Sequence, residues 1–346
     1  MDAILMTHTL LPSGKLRYEL LEDILAGLKC ADPRVTVGPR VGEDAAVIDM
    51  GDRYLIATTD PITFTAENIG YYAINVNAND IAVHGAKPRW FMATILLPLG
   101  YADEKMVRDI FESIEHAMKP LDVSLIGGHT EVTDSVQSPV VSGLMLGEVK
   151  KEGLITTRGC RPGDLIFMTK GVPIEGIAII AAEKEEKLVE SGIPDEEIQR
   201  GKNFLFDPGI SVVKDALLAS KTADITSMHD PTEGGLAAGL NEVALAADVS
   251  MVVKEDAIPL YPEGRNFCEL FDIDPLMTIS SGSLLFTAGA TEKERLEDSF
   301  LKEKIPLTVI GRVEEASQDR VYIEDQAGNR LPLPYQERDE ILKLFD

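Results

Sequence analysis

Four carboxylates between residues 44 and 131 stand where chain segments turn or end. They are Asp44 in "VGEDAAVI", Asp60 in "IATTDP", Asp80 in "NANDIAVHG" and Glu131 in "IGGHTEV". Hard oxygen donors of this kind suit Mg²⁺, which binds through a few carboxylates together with substrate phosphates. Singly, each has a plainer reading. Glu43 and Asp44 can form a turn before a strand, and Asp60 can be a turn or a helix cap. As a set they point to a magnesium–nucleotide site. Asn77, Asp80 and His84 fall at i, i+3 and i+7, so on a helix they share one face. A solvated face would carry Lys or Glu, because Asn and Asp are poor helix formers. Gly127 and Gly128 follow the apolar run "VSLI". A glycine pair there lets a ligand approach the backbone, and Thr130 and Glu131 offer oxygen ligands.

A second constellation is "SMHDPTEGGLAAGLNEVA", Ser227 to Ala244. Asp230 as N-cap, Pro231 at the first helical position and Glu233 two residues on make a capping-box pattern. Leu236, Leu240, Val243 and Ala247 then form a buried stripe. Gly234 and Gly235 remain unexplained, since each costs a helix about 1 kcal/mol relative to alanine. Close approach of a ligand or of another backbone would compensate, and a helix N-terminus favours an anion.

The elements that must position these residues follow from periodicity. Residues 15–29 and 103–120 read as amphipathic helices, and 66–85 as a long helix closed by Gly85 and Pro88. Strands are expected at 44–50, 54–60, 90–99, 123–128, 140–149 and 165–170. A helix from about 174 to 189 and a closing β-α-β unit at 283–313 follow. Strands are both adjacent to one another and alternated with helices, which predicts an α/β or α+β fold. With 346 residues, two domains are expected, 1–152 and 153–346, divided at the charged, Gly-containing stretch 150–164.

The net charge of −25 argues against nucleic acid or an anionic membrane as partner, because both need basic patches. A phosphate substrate would then need a divalent cation between it and the carboxylates. Cys30, Cys160 and Cys268 form no paired motif, which fits a reducing, cytoplasmic setting. The N-terminal stretch lacks the basic and apolar regions of a signal peptide.

Taken in order, "GEDAAV", "TTDP", "NDIAVHGAKP", "GGHT", "RPGDLIFMT" and "HDPTEGGLAAGLNEVA" resemble the aminoimidazole ribonucleotide (AIR) synthase superfamily. The resemblance spans nearly the whole chain and is strongest to its HypE branch. Asn77 keeps a spacing seen in thiamine-monophosphate kinases, and "GGHT" is more like selenophosphate synthetase. The resemblance implies a two-domain α/β fold whose N-terminal sheet pairs across a homodimer to form a barrel. It also implies ATP and Mg²⁺ near that interface, with ATP activating an acceptor oxygen by phosphorylation. Asp44, Asp60, Asp80 and Glu131 would hold Mg²⁺. Gly127, Gly128 and Thr130, with Lys15, would meet the phosphates, and Asn77 and Asn79 would orient the site. Asp230, Gly234 and Gly235 would face the acceptor. HypE acts on a cysteine at its extreme C-terminus, whereas this sequence ends "YQERDEILKLFD" and its last cysteine is Cys268. The acceptor is therefore expected to differ, whether small or protein-borne. A small-molecule kinase of the thiamine-monophosphate type, or a non-catalytic nucleotide-binding partner in hydrogenase maturation, are the competing expectations.

Overall fold

The computed structural model describes residues 11, 14–40, 42–63, 67–335 and 338–345. Most of the N-terminal stretch read for a leader, and the start of the helix expected from residue 66, lie outside the described residues.

The first half is built on one mixed sheet. Its strands are β1 (Val35–Val37), β2 (Ala46–Asp49), β3 (Arg53–Thr58), β4 (Pro61–Ile62), β5 (Lys87–Pro98), β6 (Ser124–Thr133) and β7 (Val140–Lys150). The order is β1-β2-β3-β7-β5-β6, with β4 pairing to β7. All pairs are antiparallel except β5 with β6. Helix α1 (Tyr18–Ala26) precedes the sheet, and α2 (Ile69–Val83) and α3 (Glu104–Leu121) pack with it. Asp103 caps α3 by accepting from the Met106 amide at 2.8 Å. Apart from Tyr71, every residue of α2 is buried, so this helix is wrapped on all sides. That is why Asn and Asp along it must find partners inside the protein.

The second half repeats the mixed-sheet plan. Its strands are β8 (Leu165–Thr169), β9 (Ile225–His229), β10 (Val249–Lys254), β11 (Leu285–Ala288), β12 (Leu307–Glu315), β13 (Val321–Glu324) and β14 (Arg330–Pro332). The order is β14-β13-β10-β12-β8-β11-β9. Helices α4 (Ile174–Glu183), α5 (Glu185–Glu190), α6 (Asp195–Asn203), α7 (Val213–Thr222), α8 (Gly235–Ala247), α9 (Pro262–Leu270) and α10 (Lys293–Lys302) surround it. Phe167, Phe286 and Phe300 stack in its core, with ring centroids 5.0 and 6.0 Å apart. Among the described residues no helix is long and apolar enough to cross a membrane.

Two local expectations are overturned. Gly127 and Gly128 lie within β6 rather than after it. A Cβ on Gly128 would stand 2.1 Å from the Ala93 carbonyl oxygen, so this glycine serves close approach to β5. The capping box is also absent. α8 starts only at Gly235, with Gly234 as N-cap, so Asp230, Pro231 and Glu233 lie in the preceding turn. The cap comes from afar: the Gly234 amide donates to Asp339 Oδ2 at 2.6 Å. Both glycines take left-handed φ, +79° and +63°. A Cβ on Gly235 would lie 2.6 Å from the carbonyl oxygens of Leu276 and Thr278. Of the two compensations considered, close approach of a neighbouring backbone applies at Gly235.

Gly235→Ala is therefore expected to lower unfolding stability by at least about 2 kcal/mol, combining a left-handed penalty of about 1–2 kcal/mol with the backbone clash. Denaturant titration followed by circular dichroism measures this, and an unchanged midpoint would show that the backbone contact is not the constraint.

Candidate functional site

A cleft of about 680 Å³ opens between the two halves. Lys15, Tyr18, Asp44, Asp60, Asp80 and Asp230 are among its walls. Asp44 comes from the turn before β2, Asp60 from just after β3, Asp80 from the last turn of α2 and Asp230 from just after β9. The sheets thus deliver carboxylates at strand ends, while α2 supplies one from its buried length.

Asp44, Asp60 and Asp80 are braced by neighbouring side chains. Thr58 Oγ1 lies 2.7 Å from Asp80 Oδ2 and 3.0 Å from the Asp44 carbonyl. Asn77 braces Asp60 by both ends of its amide. Its Oδ1 accepts from the Asp60 backbone amide at 2.9 Å, and its Nδ2 donates to the Asp60 carbonyl at 3.3 Å. His84 Nδ1 lies 2.8 Å from the Asp80 carbonyl. The polar face expected on α2 is therefore the back wall of the site.

His229, adjacent to Asp230, was not singled out from the sequence. Its Nδ1 is 2.8 Å from Asp44 Oδ2 and its Nε2 is 2.6 Å from Glu242 Oε2. Burial would push the imidazole down, but Asp44 and Glu242 outweigh it and hold its pKa well above the usual histidine value. The ring is thus an imidazolium at neutral pH. Glu242 also accepts from the Tyr18 hydroxyl, and Tyr18 stacks on Tyr335 with centroids 4.2 Å apart. Glu242 looked like an ordinary member of α8 in the sequence; only the β9–α8 geometry turns it towards the site.

The charge balance of the cleft is strongly negative. Asp80 is held well above the usual carboxylate range by burial and then by Asp60, Asp230 and Asp44. Asp230 is raised by burial and by Asp44 and Asp60, against the pull of His229. Among the described residues, both carboxylate oxygens of Asp230 are buried without a hydrogen-bond partner. Ligand atoms of Asp44, His229 and Asp230 lie within 4.8 Å of one another. Because both ring nitrogens of His229 are committed, the carboxylates are the donors left to a cation. An all-oxygen set with orphaned buried oxygens fits a hard divalent ion. Lys15 reaches the same cleft, with its ammonium 3.4 Å from Thr232 Oγ1.

Other expected site residues lie elsewhere. Gly127, Gly128, Thr130 and Glu131 sit on exposed β6, at the sheet edge and outside the cleft of their own chain. Glu131 pairs with His129 at 3.1 Å instead of joining the aspartates. Asn79 does not face the cleft. Its Nδ2 donates to the Ile210 carbonyl and its Oδ1 accepts from the Val212 amide, at 2.9 and 2.8 Å, tying α2 to the second half. Gly234 and Gly235 lie behind the cleft wall. Asp230 is thus the member of that motif whose side chain reaches the cleft with Thr232 and Glu233.

The raised aspartates fix a sign for pH dependence. A carboxyl whose folded pKa lies above its unfolded value gives full stability below the unfolded value, near 4, and that stability is lost as pH rises through the folded value. In EDTA, the melting temperature of the wild-type protein is expected to fall between pH 5 and 8 (probe points spanning the rise above about 4). Asp230→Asn should flatten that fall and raise the pH 8 melting temperature by at least about 2 °C. Superimposable profiles from differential scanning calorimetry would contradict the buried-charge assignment.

Comparison with known proteins agrees with the fold. Residues 42–149 match the family model of the AIR synthase related protein N-terminal domain, and 161–324 match that of the C-terminal domain. The chain is 31% identical over 265 residues to carbamoyl dehydratase HypE of Cupriavidus necator, covering 74% of this chain and 72% of that protein. It is 27% identical over 286 residues to thiamine-monophosphate kinase of Pyrococcus abyssi, covering 79% and 83%. Among solved structures, hydrogenase maturation protein HypE in complex with ATP superposes with a TM-score of 0.71 at 23% identity, over 90% of this chain and 92% of that one. With this two-domain α/β fold and these matches, the chain belongs to the AIR synthase related family, as a HypE-like member.

Proposed function

We propose that this protein is an ATP- and Mg²⁺-dependent enzyme that activates an oxygen of an acceptor by phosphoryl transfer. One observation carries the reading above all: Asp230 turns two unpartnered, buried carboxylate oxygens into a cleft shared with Asp44, Asp60 and Asp80. Such a concentration of negative charge is costly unless a cation completes it. The relatives support the choice of chemistry, one named as a carbamoyl dehydratase and another as a kinase. The resemblance implies ATP as the phosphoryl donor, and the superposed HypE structure is a complex with ATP.

In this reading Asp44, Asp80 and Asp230 hold Mg²⁺, and Asp60, braced by Asn77, completes the set. The ion would neutralise charge on the phosphates of the nucleotide. The His229 imidazolium fixes the direction of the Asp44 carboxylate through its second bond to Glu242. Lys15 and Tyr18 line one wall of the cleft. Catalysis then rests on positioning and charge neutralisation rather than on a covalent nucleophile.

The homodimer belongs to the same proposal. Among the described residues β6 leaves one edge unpaired, with Leu125, Ile126 and Val132 exposed along it. Pairing with a second copy would bury that edge. A nucleotide role for Gly127, Gly128, Thr130 and Glu131 requires that second copy, because their own cleft does not reach them. The division of the chain at 152/153 and a cytoplasmic setting complete the proposal.

With Mg-ATP, purified protein is expected to release ADP, and Asp44→Asn or Asp80→Asn to reduce that release by about 100-fold or more while keeping the fold. Coupled ADP assays and circular dichroism check this. Variants that bind and turn over Mg-ATP like the wild type would overturn the metal assignment, whereas tight ATP binding without ADP release would favour a non-catalytic partner.

A further inference from the structure

Lys170 stands directly after β8 and turns its side chain inward, with 9% of it exposed. Among the described residues, oxygen atoms ring its ammonium. Nζ donates to the carbonyls of Ser211 at 2.7 Å, Gly282 at 2.8 Å and Gly209 at 3.4 Å. Asp215, in the first turn of α7, completes the ring with Oδ2 at 3.5 Å. Thr169 Oγ1 steadies that carboxylate by donating to Oδ2 at 2.7 Å. The backbone is shaped to bring these groups together. Lys170 takes a left-handed φ of +57°. Gly282 takes +117°, and a Cβ there would lie 2.8 Å from the Gly209 carbonyl oxygen. Only glycine at 282 lets the two carbonyls converge without strain.

A simple ion pair would need Asp215 alone. Three carbonyls beside it make a cage of the kind that replaces the hydration shell of a small monovalent cation. The lysine ammonium is a compact point charge with three donors and no acceptor, so it can meet all three carbonyls at once. Burial lowers the Lys170 pKa, and Asp215 opposes that shift.

We propose that the Lys170 ammonium is a tethered cation in a monovalent-cation site, one that takes ammonium or potassium once the side chain is cut back. The site couples both sides of the cleft. Gly209 and Ser211 flank Ile210, whose carbonyl accepts from Asn79 on α2, next to Asp80. The Val212 amide, following Ser211, donates to the same Asn79. Gly282 follows Ser281, which lines the cleft. Lys170 is thus a positioning residue that acts through these two segments and touches no cleft carboxylate. Its role goes beyond the nucleotide reading, and its test contains no nucleotide, so failure of one leaves the other standing.

Two substitutions separate a cation site from ordinary packing. Lys170→Ala removes the ammonium and leaves room for an ion, whereas Lys170→Met fills the space with an apolar chain. Melting temperatures of the full chain are measured by differential scanning calorimetry in potassium, ammonium and choline chloride at equal ionic strength. In choline chloride both variants are expected to melt at least about 3 °C below the wild type, because Asp215 and the carbonyls lose their partner. Potassium and ammonium should return at least about 2 °C to Lys170→Ala and nothing to Lys170→Met or the wild type. Lys170→Gly, which adopts a left-handed φ without strain, is the second open-site variant and should show the same rescue. In both open-site variants, amide hydrogen exchange at Val212 should slow when potassium replaces choline. A methionine variant as stable as the wild type would overturn the proposal. So would open-site variants that melt alike in all three salts or fold in none of them, or a wild type that gains as much from potassium as they do.

Discussion

The constraint on which the rest of the structure depends is the burial of several carboxylates at one point between two sheets. Burial raises the cost of ionising Asp80 and Asp230, and the nearby Asp44 and Asp60 carboxylates add to it. A protein does not hold such a cluster for stability alone. What keeps it together without an ion is a set of braces: Thr58 between Asp44 and Asp80, Asn77 on Asp60, and the His229 imidazolium between Asp44 and Glu242. Those braces place the oxygens and leave the charge uncompensated, which is the condition for binding a cation together with phosphates.

The architecture follows from that need. α2 is buried along nearly its whole length, so Asp80 is presented from inside the protein rather than from a mobile loop. Asn79, one position earlier, uses the same helix to grip the second half through Ile210 and Val212. The two sheets are therefore joined one residue away from a site carboxylate. At the opposite wall, Asp339 caps the Gly234–Gly235 turn, so a C-terminal segment fixes the approach of α8 and with it Glu242. Tyr18 and Tyr335 stack over this corner and tie α1 to it.

Much of this was legible in the sequence, and the failures have physical reasons. The apolar periodicities located the main strands and helices, and Asp103 was recognisable as the start of α3. Asp44, Asp60, Asp80 and Asp230 were visible because carboxylates at element ends, and Asn or Asp on an apolar helix, need an explanation. Local rules failed where a distant segment substituted for a local partner. Asp230-Pro231-Thr232-Glu233 has the pattern of a capping box, yet Asp339 caps the helix and releases Asp230 to the cleft. Glycine pairs looked like ligand contacts, but at Gly128 and Gly235 the close neighbour is backbone. His229 and Glu242 were passed over because a lone histidine at a strand end and a glutamate on a helix carry no signal until the fold pairs them. Glu131 has the composition of a metal ligand, and β6 places it on an exposed edge, apart from the aspartates of its own chain.

The central claim is that the carboxylates on α2 and beside the ends of β2, β3 and β9, not those on β6, hold the metal of a nucleotide complex. Anomalous scattering from crystals grown with Mn²⁺ and a non-hydrolysable ATP analogue tests it most directly. The account predicts a manganese peak within bonding distance of oxygens from Asp44, Asp80 and Asp230, with His229 still bound to Glu242. A peak at Glu131 and His129 of the same chain, or nucleotide bound with no metal between it and these aspartates, would contradict it.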